Sequence, residues 1–309
     1  MGKVVYFKGE FVDESKATIS VFSHALHYGT GCFEGIRAYY NKEKDKLYAF
    51  RMADHYKRLL QSAKILFMHI PYGESQLCKI TLELLQKNFS QTDIYIRPLA
   101  FKSDPAVGNF NLQTLKDDLL IYTTPLGRYL NTEKGIRCNI SSWTRVFDNS
   151  IPPRAKITGS YVNTALAKTE SLLAGYDEAL FLDRDGHIIE GSAENIFIVQ
   201  NGIIITPIVS DGILQGITRE TIIQLAKDDL HLTVLERSID RSEIYQADEV
   251  FLVGTGAEVT PVIEIEGRKI GDGAIGKITK EMKDIYYKMV HGEYAKYEKY
   301  ITEVLPSKI

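Results

Sequence analysis

Residues 179–206 read as two β-hairpins in succession, and this run limits the fold more than any other part of the chain. Ala179 to Leu182 and His187 to Glu190 are strand-like stretches separated by Asp183-Arg184-Asp185-Gly186. Asn195 to Val199 and Ile203 to Thr206 flank Asn201-Gly202. That dipeptide suits a type I′ turn, because both residues accept positive φ. Leu214-Gln215-Gly216-Ile217-Thr218-Arg219 follows, and Thr218 to Lys227 has the spacing of an amphipathic helix. A helix opening on Gly-Ile-Thr presents backbone N–H groups at its positive end. Upstream, Arg154-Ala155-Lys156-Ile157-Thr158-Gly159-Ser160-Tyr161 leads into a helix from Tyr161 to Ala174.

The remaining pattern predicts two α/β lobes. Strands are expected at Val4 to Phe7, Thr18 to Phe22, Ile94 to Phe101 and Leu119 to Thr124. Helices are expected at Ala53 to Phe67 and Glu74 to Phe89, each with leucines on one face. Pro125 to Gly135 is polar and turn-rich and reads as a linker. The expected division is a small N-terminal domain at 1–124, a linker at 125–135 and a larger domain at 136–309. The larger lobe opens with a strand from Ile136 to Ser142. It continues past residue 206 with strands at Thr233 to Leu235 and Glu249 to Val253 and helices at Arg241 to Gln246 and Ala274 to Tyr294.

The blocks around Lys156 and Glu190 resemble the signature of the class IV aminotransferases, fold-type IV enzymes that use pyridoxal 5′-phosphate. The matching pattern is Glu190-Gly191-Ser192-Ala193-Glu194-Asn195-Ile196-Phe197, then Thr206, then Leu214 to Arg219. Four further segments are similar to the branched-chain amino-acid aminotransferases of that class. They are His24 to Arg37, Phe50-Arg51 with Leu59-Leu60, Tyr95-Ile96-Arg97-Pro98-Leu99, and Phe251 to Pro261. They follow the family order from about residue 20 to 261.

The cofactor's chemistry asks for residue types that are all present. It needs a lysine that forms a Schiff base and later moves a proton, and Lys156 is the candidate. It needs a carboxylate that keeps the pyridine nitrogen protonated, and Glu190 is the candidate. It needs an anion site, and the helix opening at Gly216 provides one. A single lysine or glutamate is usually only a solvated charge. The joint register of all three argues against that reading.

By resemblance, Tyr161 hydrogen-bonds the cofactor's phenolate oxygen, and Arg51, Ile217, Thr218 and Thr255 bind its phosphate. Tyr95 and the N–H groups of Thr255-Gly256-Ala257 receive the substrate α-carboxylate. Tyr28, Arg97 and Tyr129 line the side-chain pocket, with Phe33 as its apolar wall. The implied reaction moves the amino group of leucine, isoleucine or valine to 2-oxoglutarate, as in branched-chain amino-acid biosynthesis. The family also implies a homodimer or a higher homo-oligomer. Rival readings are a D-amino-acid or R-amine transaminase, an aminodeoxychorismate lyase, or a non-catalytic binding protein. The Tyr-x-Arg-Pro motif argues against the first three, and the presence of both Lys156 and Glu190 against the last. Two features depart from the family: the loop Lys102 to Asn111 is not glycine-rich, and Gly256 stands where alanine is common.

Composition excludes other classes. The 309 residues are 44% hydrophobic and 25% charged with a net charge of −3, so no basic excess points to nucleic acid or an anionic membrane. No apolar run has the length of a membrane span, and the N-terminus lacks a secretory core, which predicts a cytoplasmic enzyme. Cys32, Cys78 and Cys138 are widely spaced and odd in number, as expected of reduced thiols. His24 and His27 with Cys32 are too loosely spaced for a metal site, so no metal is expected.

Overall fold

The computed structural model describes residues 3–127, 130 and 133–306. The chain forms two compact units that are not contiguous in sequence. The first comprises the described residues up to Gly127, together with 155–159 and 289 onward; the second comprises the described residues of 128–154 and 160–288. The expected larger domain is therefore interrupted once and shortened at its C-terminal end, because these two segments belong to the N-terminal unit. One of these segments carries Lys156.

The first unit contains β1 (Val4–Phe7), β2 (Glu10–Asp13), β3 (Gly31–Phe33), β4 (Ile36–Asn41), β5 (Lys46–Phe50), β6 (Ile94–Lys102) and β7 (Asp117–Pro125). Its helices are the short α1 (His24–Tyr28), α2 (Met52–Ile65) and α3 (Glu74–Lys87). With the C-terminal strand Ile301–Val304, the order of its eight-stranded sheet is C-terminal strand, β5, β4, β6, β7, β1, β2, and β3 also pairs with β6. β6 sets the geometry that matters here. Ile94, Ile96 and Ala100 are buried on one face, whereas Tyr95 and Arg97 lie on the other, half-buried, as the two-residue period of a strand requires. β3 pairs with residues 99–101 of β6 and β4 with residues 94–96, so the two strands part beside Pro98, which has no N–H to offer.

The second unit contains β8 (Ile136–Ile140), α4 (Tyr161–Leu173), β9 (Glu178–Leu182), β10 (His187–Gly191), β11 (Asn195–Gln200), β12 (Ile203–Thr206) and α5 (Ile217–Asp228). β13 (Val234–Glu236), β14 (Ile239–Asp240), β15 (Glu249–Gly254), β16 (Glu258–Ile265) and β17 (Arg268–Lys269) complete its ten-stranded sheet, and α6 (Lys277–Val290) follows. Both expected hairpins form. Asn201 and Gly202 have φ of 51° and 77°, the two positive values a type I′ turn needs. Phe197 and Phe251 stack at 5.1 Å where β11 pairs with β15, amid strands that are buried along nearly their whole length.

Some expected elements change. Thr18 to Phe22 is not a strand: Ile19, Val21 and Phe22 are exposed, and turns at Ser20 lead into α1. This segment finds no neighbouring strand, since β1 turns back to pair with β2. Arg241 to Gln246 contracts to one 3-10 turn, Glu243–Gln246. The terminal helix stops at Val290, before Gly292 at φ +71°, and the chain returns as the edge strand on β5. β4 and β5 carry almost unbroken burial, so they show no polar–apolar alternation to read.

Candidate active site

Lys156 is held by backbone contacts within the first unit. Its carbonyl accepts from the Phe33 N–H at 3.0 Å, and its N–H donates to Ser62 Oγ at 3.2 Å. Thr158 Oγ1 donates to the Gly29 carbonyl at 2.7 Å and accepts from the Gly31 N–H at 3.1 Å. Glycine permits this approach: a Cβ on Gly29, whose φ is +65°, would lie 2.6 Å from Gly159 Cα. Lys156 Nζ lies 5.3 Å from the centre of the Phe33 ring.

The same ring carries a second cation. The Arg97 guanidinium carbon is 4.2 Å from the Phe33 centroid, and Arg97 donates Nε and Nη2 to the Tyr95 hydroxyl at 3.1 and 2.7 Å. Gly35 leaves room for that phenol, since a Cβ there would be 2.4 Å from its oxygen. Phe33, Tyr95, Arg97 and Lys156 are thus brought together. Tyr28 belongs to another cluster: its hydroxyl accepts from the Gly108 N–H at 3.1 Å, and its ring meets Phe110 at 5.0 Å and His24 at 4.5 Å. The unusual loop after β6 is thereby tied to a residue expected to line the pocket. Tyr129 lies outside the described residues.

A buried charge cluster follows Phe33 directly. Glu34 accepts two bonds from Arg58, at 2.7 and 2.8 Å, and is 2.7 Å from His55 Nδ1. Burial alone would push its carboxyl up; the Arg58 guanidinium and the His55 contact instead hold it below the usual carboxylate range. Burial lowers His55 despite the neighbouring Glu34, which favours the neutral ring beside that carboxylate. Arg51 opens α2 with φ +47°, pairs with Asp54 at 2.6 Å and lies over the Tyr300 ring at 4.8 Å.

In the second unit Glu190 sits on β10, opposite Phe181 of β9 and Asn195 of β11. Its Oε1 accepts from Asn195 Nδ2 at 3.1 Å and from the Leu214 N–H at 2.8 Å; Oε2 accepts from Arg145 Nε at 3.0 Å. Asn195 Nδ2 also donates to the Leu214 carbonyl at 2.9 Å, which ties the segment before α5 to the sheet. Gly216 is the N-cap of α5 and offers no capping side chain, while Ile217 and Thr218 are buried in the first turn. A helix start of this kind suits an anion. Tyr161 is the first residue of α4, and Thr255, Gly256 and Ala257 form the turn between β15 and β16. Thr260 Oγ1 pins that turn by donating to the Ala257 carbonyl at 2.7 Å.

The family description Amino-transferase class IV matches residues 31–265 of this sequence. The chain belongs to the class IV aminotransferases. It is 50% identical to the probable branched-chain-amino-acid aminotransferase of Aquifex aeolicus, over 97% of this chain and 96% of that one. The crystal structure of the Thermoproteus uzoniensis branched-chain aminotransferase with norvaline superposes with a TM-score of 0.93 at 44% identity, covering 98% of this chain and 99% of that chain. A T.th. branched-chain amino acid aminotransferase complexed with N-(5′-phosphopyridoxyl)-L-glutamate gives 0.92 at 41% identity, covering 97% and 98%. This class IV aminotransferase has the mixed two-unit α/β architecture that its sequence motifs implied.

Sequence reasoning overlooked three features of the site. Asn195 stands in the motif without an obvious task, although its place across the tight β10–β11 connection from Glu190 was a signal. Glu34, His55 and Arg58 are dispersed in sequence and meet only in the fold. Arg145 carries no local signal at all.

Proposed function

We propose that this class IV aminotransferase transfers the amino group of branched-chain L-amino acids to 2-oxoglutarate, yielding branched-chain 2-oxo acids and L-glutamate, with pyridoxal 5′-phosphate as cofactor. The observation that carries the substrate reading is the Phe33–Tyr95–Arg97 cluster. One of the two amino donors has an apolar side chain, and the other has a second carboxylate. Phe33 supplies apolar surface, worth about 1.5–3 kcal/mol for a leucine-sized group. Arg97 supplies the cation without which the second carboxylate would be buried unpaired. The ligands in the relatives match this pair of demands, one being norvaline and the other a glutamate derivative.

The donor set fits the cofactor. When bound, pyridoxal phosphate supplies an aldehyde that takes the amino group and a ring that withdraws electrons. Lys156 would hold it covalently and carry the proton between the substrate α-carbon and the cofactor's aldehyde carbon. Its fixed backbone favours that task, since a swinging amine has to return to one position. Glu190 would face the ring nitrogen, oriented by three donors in a buried setting. Thr218, Ile217 and the Thr255 turn would bind phosphate, Arg51 contributing charge, and Tyr161 would donate to the ring oxygen. Gly216 supports the fit: a Cβ there would lie 2.0 Å from Asn195 Oδ1, so the helix start and the Glu190 support need a glycine between them.

A homodimer or higher homo-oligomer in the cytoplasm completes the proposal. α4 exposes Val162, Leu166, Leu172 and Leu173, an apolar row that suits a subunit contact, and the three cysteines are free thiols. Among the described residues no helix is long and apolar enough to cross a membrane. The deciding experiment is Lys156→Ala with a panel of amino donors. Transamination should vanish, and borohydride reduction of the wild-type holoenzyme should leave cofactor mass on the Lys156 peptide. An adduct on another lysine would overturn the assignment, and light scattering that shows an active monomer would remove the oligomer.

A further inference from the structure

The geometry points to Arg145 as the positioning residue that keeps the proton on the cofactor's ring nitrogen by acting through Glu190. The inference rests on the reading that Glu190 faces that nitrogen. Arg145 lies outside the motifs, yet its side chain is only 10% exposed and its Nε donates to Glu190 Oε2 at 3.0 Å. Its backbone N–H donates to the Leu182 carbonyl at 3.0 Å, and its guanidinium carbon is 5.5 Å from the Phe181 ring centroid. Among the described residues its Nη1 is buried without a hydrogen-bond partner. Burying a guanidinium this incompletely paired is costly, so a clip for the 141–154 segment alone is a poor account of it.

Electrostatics supplies a better one. A proton shared between a carboxylate and a pyridine nitrogen can rest on either. On the nitrogen it leaves Glu190 negative and the ring positive; on Glu190 it leaves both neutral. Arg145 contacts the carboxylate directly, so it attracts the negative partner more strongly than it repels the positive charge beyond it. Its charge therefore favours the ion-paired form. Two further donors to Glu190, the Asn195 amide and the Leu214 N–H, are neutral dipoles that orient the carboxylate. With an effective dielectric near 20, a contact cation of this kind shifts the proton ratio by roughly tenfold or more.

The test is the ¹⁵N chemical shift of ring-labelled pyridoxal phosphate bound to the holoenzyme, which reports ring protonation directly. Arg145→Gln keeps a hydrogen-bond donor and removes the charge; Arg145→Lys keeps the charge and loses the planar fork. The expected result is a signal displaced toward the unprotonated value in Arg145→Gln and close to wild type in Arg145→Lys, with cofactor still bound in both. A wild-type signal in Arg145→Gln would overturn the role, as would displacement in Arg145→Lys equal to that in Arg145→Gln. Glu190→Gln separates this failure from the deeper one. If Glu190→Gln leaves the signal unmoved, Glu190 is not the nitrogen's partner and both readings fall; if it moves while Arg145→Gln does not, only the Arg145 role is lost.

Discussion

Gly216→Ala should be costly for a reason that a second substitution removes. The backbone at Gly216 has φ −71° and ψ 134°, which alanine adopts freely. In an open site the change would stabilise by about 0.4–1 kcal/mol, through the unfolded chain. The obstacle is contact. The new Cβ would lie 2.0 Å from Asn195 Oδ1 and 3.2 Å from Arg219 Cβ. Asn195 would have to leave two bonds, one to the Glu190 carboxylate and one to the Leu214 carbonyl. A bond to a charged group contributes about 1.5–3 kcal/mol and a neutral one about 0.5–1.5. After the chain-entropy gain, a net loss of roughly 1–4 kcal/mol is expected. Denaturant unfolding of the cofactor-free protein would measure it. The same substitution placed in an Asn195→Ala background should cost less than about 0.5 kcal/mol, because the clash and the two bonds are already gone. Equal losses in both backgrounds would refute this account of Gly216, and a neutral single mutant would show that the site relaxes around the methyl group.

Three further outcomes are expected. Arg97→Leu should raise KM for 2-oxoglutarate and glutamate by roughly 10- to 150-fold while changing KM for leucine far less, given about 1.5–3 kcal/mol for a charge-assisted contact; equal losses in steady-state kinetics would give Arg97 a structural task. Glu34→Gln should cost about 3–5 kcal/mol near pH 7, because it removes the buried carboxylate of an ion pair on which Arg58 and His55 converge; denaturant midpoints no lower than wild type would contradict this. Acid should weaken the wild type through the same cluster. His55 and Glu34 are both held below their usual values of 6.5 and 4.5, so each stabilises fully above that value and loses its contribution as pH falls below it, His55 first. Unfolding midpoints that rise from pH 7 to pH 4 would reverse the sign of this argument.

Much of the candidate site's local structure is legible in the sequence, because local chemistry dictates it. Asn201-Gly202 announces its hairpin through the φ values those two residues tolerate. Gly216-Ile217-Thr218 announces a helix start, and Tyr95 and Arg97 have to share a strand face because a strand repeats every two residues. Lys156 and Glu190 are recognisable from motifs whose spacing is set by single turns and strands. What remains hidden depends on contacts distant in sequence. The segment 155–159 packs with the first unit through Gly29 and Gly31, more than a hundred residues away in sequence, a meeting that only the fold arranges. The strand Ile301–Val304 exists because β5 offers an unpaired edge. Glu34 is an ordinary acidic residue until Arg58 and His55 converge on it, and Arg145 is an ordinary arginine until Glu190 lies 3.0 Å from its Nε. Local sequence determines backbone preference and side-chain chemistry; which charges are buried together, and so which of them are costly to remove, is decided by tertiary packing.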